Sequence, residues 1–166
     1  MKLYEIADDS GFMGLFNPER YSSFVDEDWD LKRLLNHFMK QIQSNNLLFW
    51  STGTEGTWTV SINKEITSVT GFREIEGVIE VTNGKLCLIN YESLTMGAQF
   101  EDVVLPERHL EDCSFEINNG VYKTRIIQMF NPEIYSDNAK VHFILEFEQT
   151  NVSKSNWGKI PWLDHY

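Results

Sequence analysis

Beyond Leu47 the apolar residues change their spacing from the 3.6-residue period of a helix to the two-residue period of a strand, and this change limits what the chain can build. Before it, Leu31, Leu34, Leu35, Phe38, Met39 and Ile42 form the stripe of an amphipathic helix. Lys32, Arg33, Asn36, His37, Lys40 and Gln41 take the opposite face. Asp26, Glu27, Asp28 and Asp30 crowd the start, where the helix dipole favours carboxylates, and Lys40 suits the end. The spacing predicts a helix over 28–44, lying on one face of a sheet.

After the change, Trp58, Val60 and Ile62 alternate with Thr57, Thr59 and Ser61. Val141, Phe143, Leu145 and Phe147 alternate with His142, Ile144, Glu146 and Glu148, which places both glutamates on a solvent face. Further strands are expected over 47–50, 74–82, 85–90 and 121–130. Asn83-Gly84 and Asn118-Asn119-Gly120 have the makeup of hairpin turns. Leu3, Tyr4 and Ile6 fit a short edge strand. Residues 11–20 read as loop, because Gly11, Gly14, Asn17 and Pro18 punctuate them. Residues 93–112 show no clear period. Trp157, Trp162 and Tyr166 make the tail too aromatic for a solvated end, so it is expected to dock on the body. The expected fold is mainly β: an antiparallel β-sandwich or strongly curved sheet of about seven or eight strands with one amphipathic N-terminal helix. The length of 166 residues fits a single globular domain, 1–166.

The chain carries 14 basic and 25 acidic residues, a net charge of −11. Nucleic acid and anionic membranes both demand the opposite balance. A basic protein is the partner class that this charge would steer inward. Residues 1–9 hold no apolar signal core, and no apolar run approaches the ~20 residues that span a bilayer, so a cytoplasmic location is expected.

Motifs that carry chemistry fail on inspection. Asp26, Asp28 and Asp30 imitate the start of a calcium loop, but Leu31 stands where its glycine belongs and His37 where its bidentate glutamate belongs. His37, His109, His142 and His165 lie in no metal-binding spacing. His109 beside Glu107 or Glu111 is the residual acid–base arrangement. Thr52-Gly53-Thr54-Glu55-Gly56-Thr57 lacks the lysine and following helix of a phosphate loop and reads as a turn between strands. Cys87 and Cys113 lack ligand spacing and read as buried thiols. No catalytic residue, metal or cofactor is expected.

What stands out is a distribution of charge. Glu92, Glu101, Asp102, Glu107, Glu111, Asp112 and Glu116 face one base, Arg108, with Leu94, Met96, Phe100, Val103, Val104 and Leu105 interleaved. Apolar anchors in an acidic field suit protein recognition.

Three stretches carry a family likeness. They are Gly56-Thr57-Trp58-Thr59-Val60, Val78-Ile79-Glu80-Val81-Thr82-Asn83-Gly84 and Phe115-Glu116-Ile117-Asn118-Asn119-Gly120-Val121-Tyr122. In their order the chain resembles the bacterial competence protein J family, which inhibits the DNA-entry nuclease, and more loosely the acidic immunity proteins of toxin systems. The resemblance implies a small β-sandwich and an inhibitory role. The helix and the tail have no counterpart in it, and no inhibitory residue carries over. The expected function is therefore a non-catalytic bacterial binding protein, an inhibitor or immunity protein neutralising a basic nuclease or toxin. Glu101, Asp102, Glu107, Glu111 and Asp112 are the expected partner-binding residues. The alternative is a small-molecule-binding sandwich or an enzyme with a pocket between helix and sheet.

Overall fold

The computed structural model describes residues 2–134 and 139–163. The order of elements is β1 (Lys2–Asp8), β2 (Phe12–Phe16), α1 (Leu31–Gln43), β3 (Leu47–Ser51), β4 (Gly56–Asn63), β5 (Arg73–Val81), β6 (Lys85–Asn90), α2 (Tyr91–Gln99), a 3-10 segment (Arg108–Cys113), β7 (Ser114–Glu116), β8 (Gly120–Gln128) and β9 (Phe143–Gln149). The chain is mainly β, as its two-residue period implies. Its strands form a five-stranded sheet, β1-β4-β9-β8-β5, and a four-stranded sheet, β3-β2-β6-β7. Nine strands among the described residues exceed what the patterning suggests, and one pair, β4 with β9, runs parallel.

The glycine turns do not close hairpins. The chain changes sheet four times, between β1 and β2, β3 and β4, β5 and β6, and β7 and β8. Each change holds a glycine at positive φ: Gly11 at 83°, Gly53 at 89°, Gly84 at 69° and Gly120 at 153°. Asn83-Gly84 shows the reason. A type I′ hairpin needs positive φ at both central residues. Among the described residues only Asn45 and Trp162 take it without being glycine, so Asn83 does not. With one left-handed residue the chain turns a corner, and β5 pairs with β8 while β6 pairs with β2 and β7.

The loop expected over 11–20 contains β2, a central strand of the smaller sheet. Gly14 is not punctuation there. A Cβ on it would lie 2.7 Å from the Leu48 carbonyl oxygen, so the glycine lets β2 approach β3. The smaller sheet is covered on both faces. Trp50 reaches Phe143 of the larger sheet with ring centroids 6.2 Å apart. Phe49, on the other face, packs against Phe38 of α1 with ring centroids 4.8 Å apart and the rings tilted by 46°. A strand buried on both sides loses alternation, which is why Leu47–Ser51 is buried throughout.

Helix α1 is shorter than its charge pattern suggests. Asp30 is the N-cap, its carboxylate accepting the Arg33 N–H at 2.8 Å. The first turn holds no acid. Asp26, outside the helix, instead accepts the Asp28 N–H and pairs with Arg33 of the first turn at 3.0 Å. Leu34, Phe38 and Ile42 are fully buried, Leu35 and Met39 partly, and Leu31 is 58% exposed. The aperiodic stretch also holds structure. Asn90 caps α2 by accepting the Ser93 N–H at 3.0 Å, and Leu94, Gly97 and Ala98 are buried. The small residues Ser93, Gly97 and Ala98 hide its helical period from a hydrophobic pattern.

Two fastenings hold the sheets together. Asp8, fully buried at the end of β1, accepts the backbone N–H groups of Ser10, Gly11 and Phe12 at 3.1, 2.7 and 3.0 Å. Its second oxygen accepts the Thr52 hydroxyl at 2.7 Å and the Trp58 indole N–H at 2.8 Å. One carboxylate thus joins two of the four corners. At the far edges the tail docks as its aromatics imply. The Ser155 hydroxyl accepts the Val78 N–H, the Trp157 indole donates to the Glu76 carbonyl, and the Pro161 carbonyl accepts the Ser51 N–H. Trp162 stacks on the Arg73 guanidinium at 4.2 Å. Tyr166 and His165 lie outside the described residues.

Asp8→Ala leaves five donors of the corner without their acceptor and is expected to lose at least about 3 kcal/mol in urea unfolding. Phe38→Ala is expected to lose about 3–5 kcal/mol. Losses under about 1 kcal/mol would contradict these assignments.

Candidate functional site

The acidic stretch runs from α2 through the connection that follows it into the 3-10 segment. Glu101, Asp102, Glu111 and Asp112 are exposed, and Glu107 is half-buried. Among the described residues none of the five forms an ion pair, because Lys123 and Arg125 are taken by other strands. Met96, Phe100 and Val104, in the same stretch of chain, are exposed at 42%, 40% and 79%. Leu94, Leu105 and Leu110 point into the core and anchor the segment. The remaining two acids have other places. Glu92 accepts the Asp9 N–H at 2.8 Å and the Ser10 hydroxyl at 3.1 Å, and Glu116 lies at the opposite sheet edge.

Glu146 departs furthest from its expected place. The alternation put it on a solvent face, yet it is fully buried. It accepts the Arg125 guanidinium at 2.9 Å, the Thr67 hydroxyl at 2.5 Å, the Thr67 N–H at 3.2 Å and the Asn63 amide at 3.4 Å. The segment 64–72 folds across the outer face of the larger sheet and covers it. Arg125 also donates to both oxygens of Glu74 and to the carbonyls of Thr67 and Val69. Burial pushes the Glu146 carboxyl up, and the hydrogen bonds from Thr67, Arg125 and Asn63 outweigh it, leaving the group below the usual carboxylate range. The hydrogen bond from Arg125 holds Glu74 low as well, and Arg125 in turn is held above its ordinary value, first by Glu74. All the guanidinium nitrogens of Arg125 are engaged, and both oxygens of Glu146 accept hydrogen bonds. The cluster fastens a segment and has no base to offer a substrate. Glu148, on the same face, is exposed and pairs with Lys123 at 3.5 Å.

The other candidates have local uses. His142 is buried, its Nδ1 accepts the Thr59 N–H at 2.9 Å, and its ring packs edge-on against Trp58 and Phe130. His37 approaches the Ser22 carbonyl at 2.6 Å, and burial pushes its imidazole down. His109 is exposed and bonds to neither Glu107 nor Glu111. Burial pushes the thiols of Cys87 and Cys113 up, and neither is bridged. Among the described residues no three histidines, cysteines or carboxylates gather as metal ligands.

No cavity was expected where one occurs. The junction of α1 with the sheet is filled by Leu34, Phe38 and Ile42. A cleft of about 850 Å³ opens instead between the two sheets, beside β1 and β7. Lys2, Lys64 and Lys85 line it with Tyr4, Thr67, Ser114 and Phe115. These residues are too far apart in sequence for any local pattern to join them. The corner at Gly84, mistaken for a hairpin, is what brings Lys85 opposite β1.

The Glu146 cluster makes a pH-dependent prediction. Both carboxylates titrate low in the folded state, so the stability they add is complete above about pH 4.3 and is lost as pH falls through their folded pKa values. Glu146→Gln is expected to cost about 3–5 kcal/mol at neutral pH, with the gap to wild type narrowing in acid. A gap independent of pH would contradict the assignment.

No family model and no curated protein matches the chain. Two solved structures share its architecture. "Crocagin biosynthetic gene J" superposes with a TM-score of 0.60 at 11% identity, over 89% of this chain and 97% of that one. ComJ, "inhibitor of the DNA degrading activity of NucA, from Bacillus subtilis", superposes with a TM-score of 0.53 at 12% identity, over 90% of this chain and 96% of that one. The chain is therefore similar in fold to ComJ, the likeness to which its strand order points.

Proposed function

We propose that this chain is a non-catalytic binding protein that neutralises a basic protein partner, a nuclease or a toxin, by covering the partner's working surface. The observation that carries the proposal is the set of unpaired carboxylates at Glu101, Asp102, Glu107, Glu111 and Asp112, with Met96, Phe100 and Val104 exposed among them. Opposite charge raises the rate of encounter, and apolar side chains supply area that is dehydrated once contact is made. The two sheets, read as a β-sandwich, form a rigid back for that surface. The fold supports the class of function, since ComJ is described as an inhibitor of a nuclease's DNA-degrading activity. The carboxylates themselves suggest no chemistry, because His109, in the same segment, is hydrogen-bonded to neither Glu107 nor Glu111. Among the described residues no helix is long and apolar enough to cross a membrane. We place the activity in the bacterial cytoplasm.

The test is the association rate with a basic nuclease or toxin that the protein inhibits. Raising salt from about 0.1 to 1 M shortens the Debye length from about 10 to 3 Å and should slow association with wild type. Reversing Glu101, Asp102, Glu111 and Asp112 to Lys should slow it about tenfold or more and change dissociation less. Fold stability should stay within about 0.5 kcal/mol, as for other exposed sites. An unchanged association rate in the reversed variant would refute the proposed surface.

A further inference from the structure

We infer that the cleft between β1 and β7 binds a small anion, a carboxylate or phosphate carried on an apolar body. None of the five proposed partner-binding carboxylates lines this cleft, and its ligand class differs from the proposed protein partner. The cleft, at about 850 Å³, falls in the range of about 300–1,000 Å³ typical of ligand sites. Its charge runs against the rest of the molecule. In a chain of net charge −11, three lysines, Lys2, Lys64 and Lys85, line it against two glutamates, Glu65 and Glu116. All three lysines are exposed, and among the described residues none forms an ion pair. Arg33, Lys123 and Arg125 by contrast are paired with carboxylates.

The floor is apolar. Tyr4 and Phe115 lie there with ring centroids 5.8 Å apart, each 6% exposed, and the Lys2 ammonium sits 5.3 Å from the Tyr4 ring. The Tyr4 hydroxyl has no hydrogen-bond partner among the described residues and is free to donate to a ligand. Thr67 on the lip is anchored from beneath by Glu146, and Ser114 by the Cys87 thiol at 2.8 Å, so the walls are fixed before a ligand arrives. The tail closes the sheet edges at β3 and β5 and leaves this side open. Ligand size follows from the electrostatics. A polyanion would extend beyond the cleft into the field of an acidic protein. A small anion feels chiefly the charges within a Debye length of about 8–10 Å, and the lining itself carries three lysines against two glutamates.

The experiment is a titration of ¹⁵N-labelled protein, followed by amide chemical shifts, with phenyl phosphate, benzoate, inorganic phosphate and phenol as separate probes. Phenyl phosphate or benzoate should give saturable shifts confined to the strands and lip that line the cleft. Whichever binds tighter tells phosphate from carboxylate. Inorganic phosphate lacks the apolar body and phenol the charge, so each should bind more weakly. In the double variant Lys64→Glu and Lys85→Glu, affinity for the tighter probe should fall at least about tenfold with the melting temperature unchanged. Four results would each overturn the site: no saturable shift up to about 10 mM probe, shifts centred elsewhere, equal affinity for phenol, or equal affinity in the variant.

Discussion

A single buried carboxylate organises this molecule. Asp8 stands where the chain first leaves the larger sheet for the smaller one, and it accepts hydrogen bonds from both sheets. No lysine or arginine balances it. Five donors do so, from the β1–β2 turn, from the β3–β4 connection and from Trp58 in β4. Such an arrangement specifies geometry more tightly than an apolar contact does, because a shift of either sheet would strand several buried donors at once. The register of β1 on β4, from Lys2 opposite Ile62 to Asp8 opposite Gly56, follows from it.

The distribution of charge separates structural from functional work. Arg125 is spent inside, joining Glu74, Glu146 and the segment 64–72 to the larger sheet. That segment forms the lip of the lysine-lined cleft, so the buried cluster and the cleft are two sides of one construction. Among the described residues Glu101, Asp102, Glu107, Glu111 and Asp112 form no ion pair. They belong to a segment whose leucines hold it to the core. The proposed protein-binding segment and the proposed anion cleft thus differ in charge: five carboxylates in one, three lysines against two glutamates in the other.

Much of this was legible in the sequence, but only where one face of an element meets water. Helix α1 and strands β4 and β9 announced themselves by period, since half of each helix turn or every second strand residue stays polar. Strands β2 and β3 are covered on both faces, so alternation vanished, and Gly14 made β2 look like loop. Glu146 followed the pattern and still misled, because the segment 64–72, distant in sequence, covers the face it occupies. The glycines were recognised as turns, yet a local pattern does not say which strand the chain joins after turning. The acidic segment was visible as composition. The cleft was not, because it depends on the pairing of distant strands.

Everything above therefore rests on the chain changing sheets at its glycines. If Asn83-Gly84 closed a hairpin, Lys85 would lie beside β5, far from Lys2 and Tyr4, and the cleft would not exist. The most direct measurement is the set of cross-strand backbone nuclear Overhauser contacts in solution. The account predicts contacts between Glu76 and Arg125 and between Phe16 and Cys87, the pairs that join β5 to β8 and β2 to β6. Contacts linking Val81 to Leu86 and Glu80 to Cys87 across the turn would contradict it.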